Sequence, residues 1–236
     1  MNMMAEKKNV FSKETKFAEL MTEDRRLLQL LPRFGIGLGF GDRSVEHVCQ
    51  MNHVGADLFL MVCGIYCDST FKPDENALRR VDMRELLSYL KASHRYYLEE
   101  RFPHIEEHLQ HIIDACGRKF GPMLSQFYGE YKQEVMRHIQ YYEEEVVFPY
   151  IEALINGQGA DSYKIDEFMH NHTNIQDPLD DMMNILLKYL PGDILPKERI
   201  EISLDIIELS DDLFSHALIE ERILIPSVET LEKHRP

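Results

Sequence analysis

Apolar residues recur at helical spacing through most of this chain. Phe17, Leu20 and Met21, then Leu27, Leu28, Leu30 and Leu31, predict short helices that stop at Pro32 and the glycine-rich GIGLGFGD. A helix restarts in GFGDRSVEHVCQMNHV with Asp42 or Ser44 as its N-cap, and ADLFLMVCGIY supplies another, so residues 10–72 read as a small N-terminal helical domain. The polar stretch STFKPDENA reads as a linker. Residues 80–233 then carry four long helical patterns, over 83–115, 122–155, 165–189 and 196–231. The loops between them, CGRKFG, NGQGADS and LPGDILP, are short and of the type that joins antiparallel neighbours, which predicts a four-helix bundle. Pro103, Pro149 and Pro226 fall inside or near the ends of these helices, where each deletes a hydrogen bond and should kink or stop the helix.

Composition narrows the class. Glu, Leu, Met and Lys are common and strand-like alternation is hard to find, so the chain is expected to be all-α. With 26 Lys+Arg against 41 Asp+Glu the formal net charge is −15, which repels nucleic-acid phosphates and anionic lipid alike. No apolar stretch reaches the ~18–20 residues of a spanning helix. The N-terminus MNMMAEKKNVFSKETK is charged and the four cysteines are irregularly spaced, so the expected home is the cytoplasm. GIGLGFG follows a helix and a proline rather than a strand, and therefore reads as a tight turn and not a nucleotide loop. Cys63 and Cys67, four apart on an apolar helix, read as buried small hydrophobes rather than a redox pair.

Chemistry is concentrated in the bundle. In FSHALIEERILIP, His216 and Glu220 share one helix face beside core-type Leu213, Leu218, Ile219 and Ile223, and a His and a carboxylate facing a core are costly unless they bind something. RHIQYYEEEVVFP repeats the theme with His138 and then Glu143, Glu144 and Glu145, of which one should point inward. HNHTNI offers His170 or His172, and ASHRYYLEERFP offers His94. His172 and His216 lie at matching depth in an antiparallel hairpin, whereas His94 and His138 differ by about 9 Å at ~1.5 Å per residue. One histidine per helix plus two carboxylates, with no thiolate, suits a pair of iron or manganese ions better than a structural zinc, although zinc and manganese remain chemical competitors. Tyr96, Tyr97, Tyr141 and Tyr142 lie beside the site positions, where they can donate hydrogen bonds or pack as bundle residues. His104, His108 and His111, at i, i+4 and i+7, read as a solvent-facing stripe because no carboxylate set from another helix is matched to them.

These motifs resemble the hemerythrin-like HHE bundle proteins, and in particular the RIC family of di-iron proteins implicated in repair of iron–sulfur clusters. The resemblance spans nearly the whole chain. It implies His94, His138, His172 and His216 as metal ligands, Glu143 and Glu220 as bridges, and two iron ions as cofactor. It further implies action on damaged iron–sulfur proteins under nitrosative or oxidative stress, through nitric oxide or dioxygen binding or reduction or through iron donation. A non-catalytic oxygen- or redox-sensing or metal-binding module is the alternative, and a homodimer is compatible with either. Two features depart from the family pattern. Glu143 follows His138 by five residues rather than four, which predicts a local π-bulge. The stretch corresponding to the family's N-terminal cysteine pair is LGFGD, without cysteine.

Overall fold

The computed structural model describes residues 11–158, 163–171 and 177–233. Among them every regular element is helical apart from an isolated antiparallel bridge between Lys16 and Ser44, so the fold is all-α. The chain divides into two compact units between Leu86 and Leu87. No single described helix is long and apolar enough to cross a membrane.

The first unit contains α1 (Phe17–Glu23), a 3-10 turn (Arg25–Gln29), α2 (Leu30–Arg33), α3 (Val45–Met51), α4 (Ala56–Cys67) and α5 (Glu75–Leu78). Ser44 caps α3 by accepting from the His47 N–H, which decides between the two expected caps. Gly35, Gly39 and Gly41 take positive φ, as a tight turn requires, and no strand precedes them. The core is built from Phe17, Leu20, Leu27, Leu30, Phe59 and Val62, and Arg33 is buried with its guanidinium donating to the Tyr66 hydroxyl at 2.9 Å. Within the expected linker, Asp74 caps the short α5. Burial pushes the Cys67 thiol up to about 11 and Cys63 well above its ordinary value, so both behave as buried thiols rather than thiolates at neutral pH.

The bundle is made of α6 (Met83–Arg95), α7 (Phe102–Met136), α8 (Phe148–Ile155), α9 (Ile165–Asn171), α10 (Asp177–Asn184), α11 (Pro196–Ile219) and α12 (Ile225–Lys233). Within α7 the chain reverses at Gly117, whose φ of 58° and ψ of −159° lie outside the helical region. The reversal makes an antiparallel hairpin in which Tyr128 donates to the Phe102 carbonyl and Lys132 meets Glu106. Gly121 closes the turn, since a Cβ there would stand 2.7 Å from the Ile113 carbonyl oxygen. Ile105, Leu109 and Ile112 from one arm, Leu124, Tyr131 and Val135 from the other, and Ile202, Ile206 and Leu209 from α11 fill the core between them.

Among the described residues four π-helical segments interrupt or end the bundle helices: Tyr96–Arg101, Arg137–Val147, Ile185–Tyr189 and Glu220–Leu224. Each ends two residues before a proline, at Pro103, Pro149, Pro191 and Pro226. A proline has no N–H for the i−4 carbonyl and its ring crowds that carbonyl, so the turn before it opens, and a widened π turn accommodates the extra residue. Contrary to the expectation that Pro103, Pro149 and Pro226 kink or stop their helices, each helix runs on through its proline after a widened turn, and only before Pro191 does the helix end, at an extended Leu190. Gly117→Ala should cost about 1–3 kcal/mol through backbone strain alone, because nothing lies within 4 Å of its Cβ position; a denaturant melt read by circular dichroism checks this.

Candidate metal centre

The π segment at Arg137–Val147 brings His138 and Glu143 together. Five residues are off-face in an α-helix but are the hydrogen-bond period of a π turn, and His138 Nε2 lies 2.8 Å from Glu143 Oε1. The other oxygen, Glu143 Oε2, lies 2.8 Å from His94 Nε2 and 3.9 Å from His216 Nε2. His216 Nε2 in turn lies 3.4 Å from Glu220 Oε1, at i, i+4 spacing across the end of α11 into the next π segment. The uneven depths of His94 and His138 are thereby explained: the residue level with His94 across the hairpin is Glu143, and His138 stands on the far side of its carboxylate.

His94 and Glu143 are fully buried, and His138, His216 and Glu220 are no more than 4% exposed. Glu144 and Glu145, by contrast, are exposed, so a single acid of the three points inward. Despite the short separations, neither oxygen of Glu143, nor His94 Nε2, nor either ring nitrogen of His216 makes a hydrogen bond. The ring nitrogens and carboxylate oxygens therefore converge on a shared space without hydrogen-bond alignment between them. Ligands at right or tetrahedral angles around an ion at ~2.1 Å lie about 3.0–3.4 Å apart, close to the separations observed. Four donors from His94, Glu143, His216 and Glu220 all fall within 4.8 Å of one another.

Electrostatics point the same way. Burial opposes ionisation of Glu143, but the surrounding His94, His138 and His216 hold its carboxyl well below the usual range. Burial likewise opposes a charge on His216, yet Glu220 and Glu143 drive its pKa up to about 10. His94 is raised by Glu143 and Glu144 against the same desolvation. A buried charged set of this kind costs several kcal/mol per ion in desolvation, more than a Leu or Ile in the same place would contribute, so stability alone does not account for it.

The surroundings fix the donors. His94 Nδ1 lies 3.0 Å from Glu144 Oε1; with the carboxylate accepting, the proton sits on Nδ1 and Nε2 keeps its lone pair toward the site. The ring stacks on Phe148 at 5.3 Å, and the fully buried Tyr97 meets His216 edge-on at 5.6 Å. Tyr142 stands 6.4 Å from the His138 ring, whereas Tyr141 is 54% exposed and Tyr96 packs against the core. A cavity of about 200 Å³ opens beside His138, lined by Tyr141, Tyr142, Val146, Tyr163 and Phe168. His172 lies outside the described residues. Sequence reasoning missed Glu144 as the partner of His94 Nδ1.

Fold and site together define a helical bundle with a buried His/carboxylate cluster that could hold a metal ion. The family model for the hemerythrin HHE cation binding domain matches residues 82–228, and the chain belongs to this family. No curated protein and no solved structure matches the chain significantly.

Glu144→Ala should weaken metal binding by about 10–100-fold by releasing the His94 ring, while Glu145→Ala, on the exposed side, leaves it unchanged. Competition with a chromogenic chelator measures both.

Proposed function

We propose that this protein is a non-haem di-iron protein that protects or restores iron–sulfur clusters under nitrosative or oxidative stress in the cytoplasm. The observation that carries the di-iron reading is the division of Glu143, with Oε1 facing His138 and Oε2 facing His94 and His216. A carboxylate so placed has one oxygen for each of two ions. His94, His216 and Glu220 would hold one iron, and His138 the other, with His172 its proposed companion ligand and Glu220 a second bridge.

The donor set is all nitrogen and oxygen, which suits iron over softer-ligand metals. A bound iron pair supplies reversible redox chemistry and positions open to a small ligand such as nitric oxide or dioxygen. The chain's own residues do the rest. Glu143 and Glu220 offset the positive charge, Glu144 keeps His94 in its ligating tautomer, and Phe148 and Tyr97 exclude water from one side. The cavity beside His138 gives a small ligand an approach from the other. The cluster-repair role is supported by the resemblance of nearly the whole chain, with N-terminal helices similar in layout, to the RIC proteins. The four cysteines are free and the N-terminal turn has none, so this role is proposed without thiol chemistry at that turn.

Protein expressed with iron should hold close to two irons per chain and react with nitric oxide after anaerobic reduction. It should also restore activity to a cluster-damaged dehydratase, and His216→Ala/Glu220→Ala should do neither. Wild-type protein that carries iron yet neither reacts with nitric oxide nor restores the damaged enzyme would contradict the repair role.

A further inference from the structure

The outer face of the bundle carries a second set of convergent donors. His104 and His108 stand one turn apart on α7 with ring centroids 4.4 Å apart, and Asp205 of α11 faces both. Asp205 Oδ2 lies 3.3 Å from His104 Nε2 and 3.8 Å from His108 Nδ1. All three donor atoms fall within 4.8 Å of one another. The carboxylate missing from the sequence reading of the His104–His108–His111 stripe is therefore supplied by the fourth helix, and His111 stays outside the set.

This arrangement is held rather than fortuitous. Ile105 and Leu109, next to the two histidines, and Ile202, Ile206 and Leu209, around Asp205, are buried in the shared core, which fixes how α7 and α11 face each other. Arg101 lies 3.5 Å from Asp205 Oδ1 and donates to the Asp205 carbonyl at 3.2 Å, so one carboxylate oxygen is turned away and Oδ2 is left to the histidines. The imidazoles are 43% and 39% exposed, which leaves room for water as a further ligand.

We propose that His104, His108 and Asp205 form a second metal site, taking one divalent ion of the zinc class. Two imidazoles and one carboxylate are a standard zinc donor set, and ligands around a tetrahedral ion at ~2.0–2.2 Å lie about 3.4 Å apart, near the separations seen. A histidine pair at i, i+4 offers both rings to one ion from one helix face. The net charge of −15 raises the local concentration of cations around the site. An ion bound there ties α7 to α11 on the solvent side, independently of the buried centre.

Zinc binding to the full-length protein, measured by chelator competition, tests this. Wild type should bind one zinc more than His104→Ala/His108→Ala, a variant of exposed side chains whose helicity should be unchanged. That equivalent should persist in His94→Ala/His216→Ala, and Asp205→Asn should weaken it at least tenfold. Equal zinc content and affinity in wild type and His104→Ala/His108→Ala would overturn the proposal. That comparison decides the matter alone if the buried-site variant does not fold.

Discussion

The bundle is organised around one carboxylate that has no contact with water. Glu143 is fully buried, and its ionisation is sustained only because His94, His138 and His216 approach it from different helical arms. Each of those arms must end at the same depth for this to happen. The reversal at Gly117 sets the register of His94 against Glu143, and i, i+4 spacing at the end of α11 delivers His216 with Glu220. The apolar layers above and below supply the stability that such a polar centre does not.

The π segments translate sequence into site geometry. An α-helix can align His138 with residue 142 but not with residue 143, and the widened turn removes that conflict. Pro149 lies two residues beyond this segment, and a widened turn followed by a proline two residues on recurs at Tyr96–Arg101, Ile185–Tyr189 and Glu220–Leu224. Glu220 opens one of these segments, and the segment Tyr96–Arg101 begins two residues after His94. The widened turns thus set how the side chains of this cluster are aimed, at the cost of regular α-helical hydrogen bonding.

Much of this was legible in the chain. Amphipathic spacing and glycine–proline loops specify the helices, and membership of the hemerythrin HHE family agrees with the motif around His216 and Glu220. The five-residue gap after His138 announces a π turn because no other regular helix satisfies it. What periodicity does not carry is the pairing between helices. Glu144 looked like one of three equivalent acids, and its bond to His94 depends on the hairpin register. No carboxylate was matched to the His104–His108 stripe, and only the packing of α7 on α11 brings Asp205 to it. The tight turn at GIGLGFG was legible because glycine tolerates the positive φ found at Gly35, Gly39 and Gly41.

The central claim, that Glu143 stands between two ions, is tested most directly by anomalous diffraction at the iron edge on crystals of the iron-loaded protein. The account predicts two anomalous peaks flanking the Glu143 carboxylate, one on the His138 side and one on the side of His94, His216 and Glu220. A single peak, or iron bound elsewhere with none beside Glu143, would contradict it.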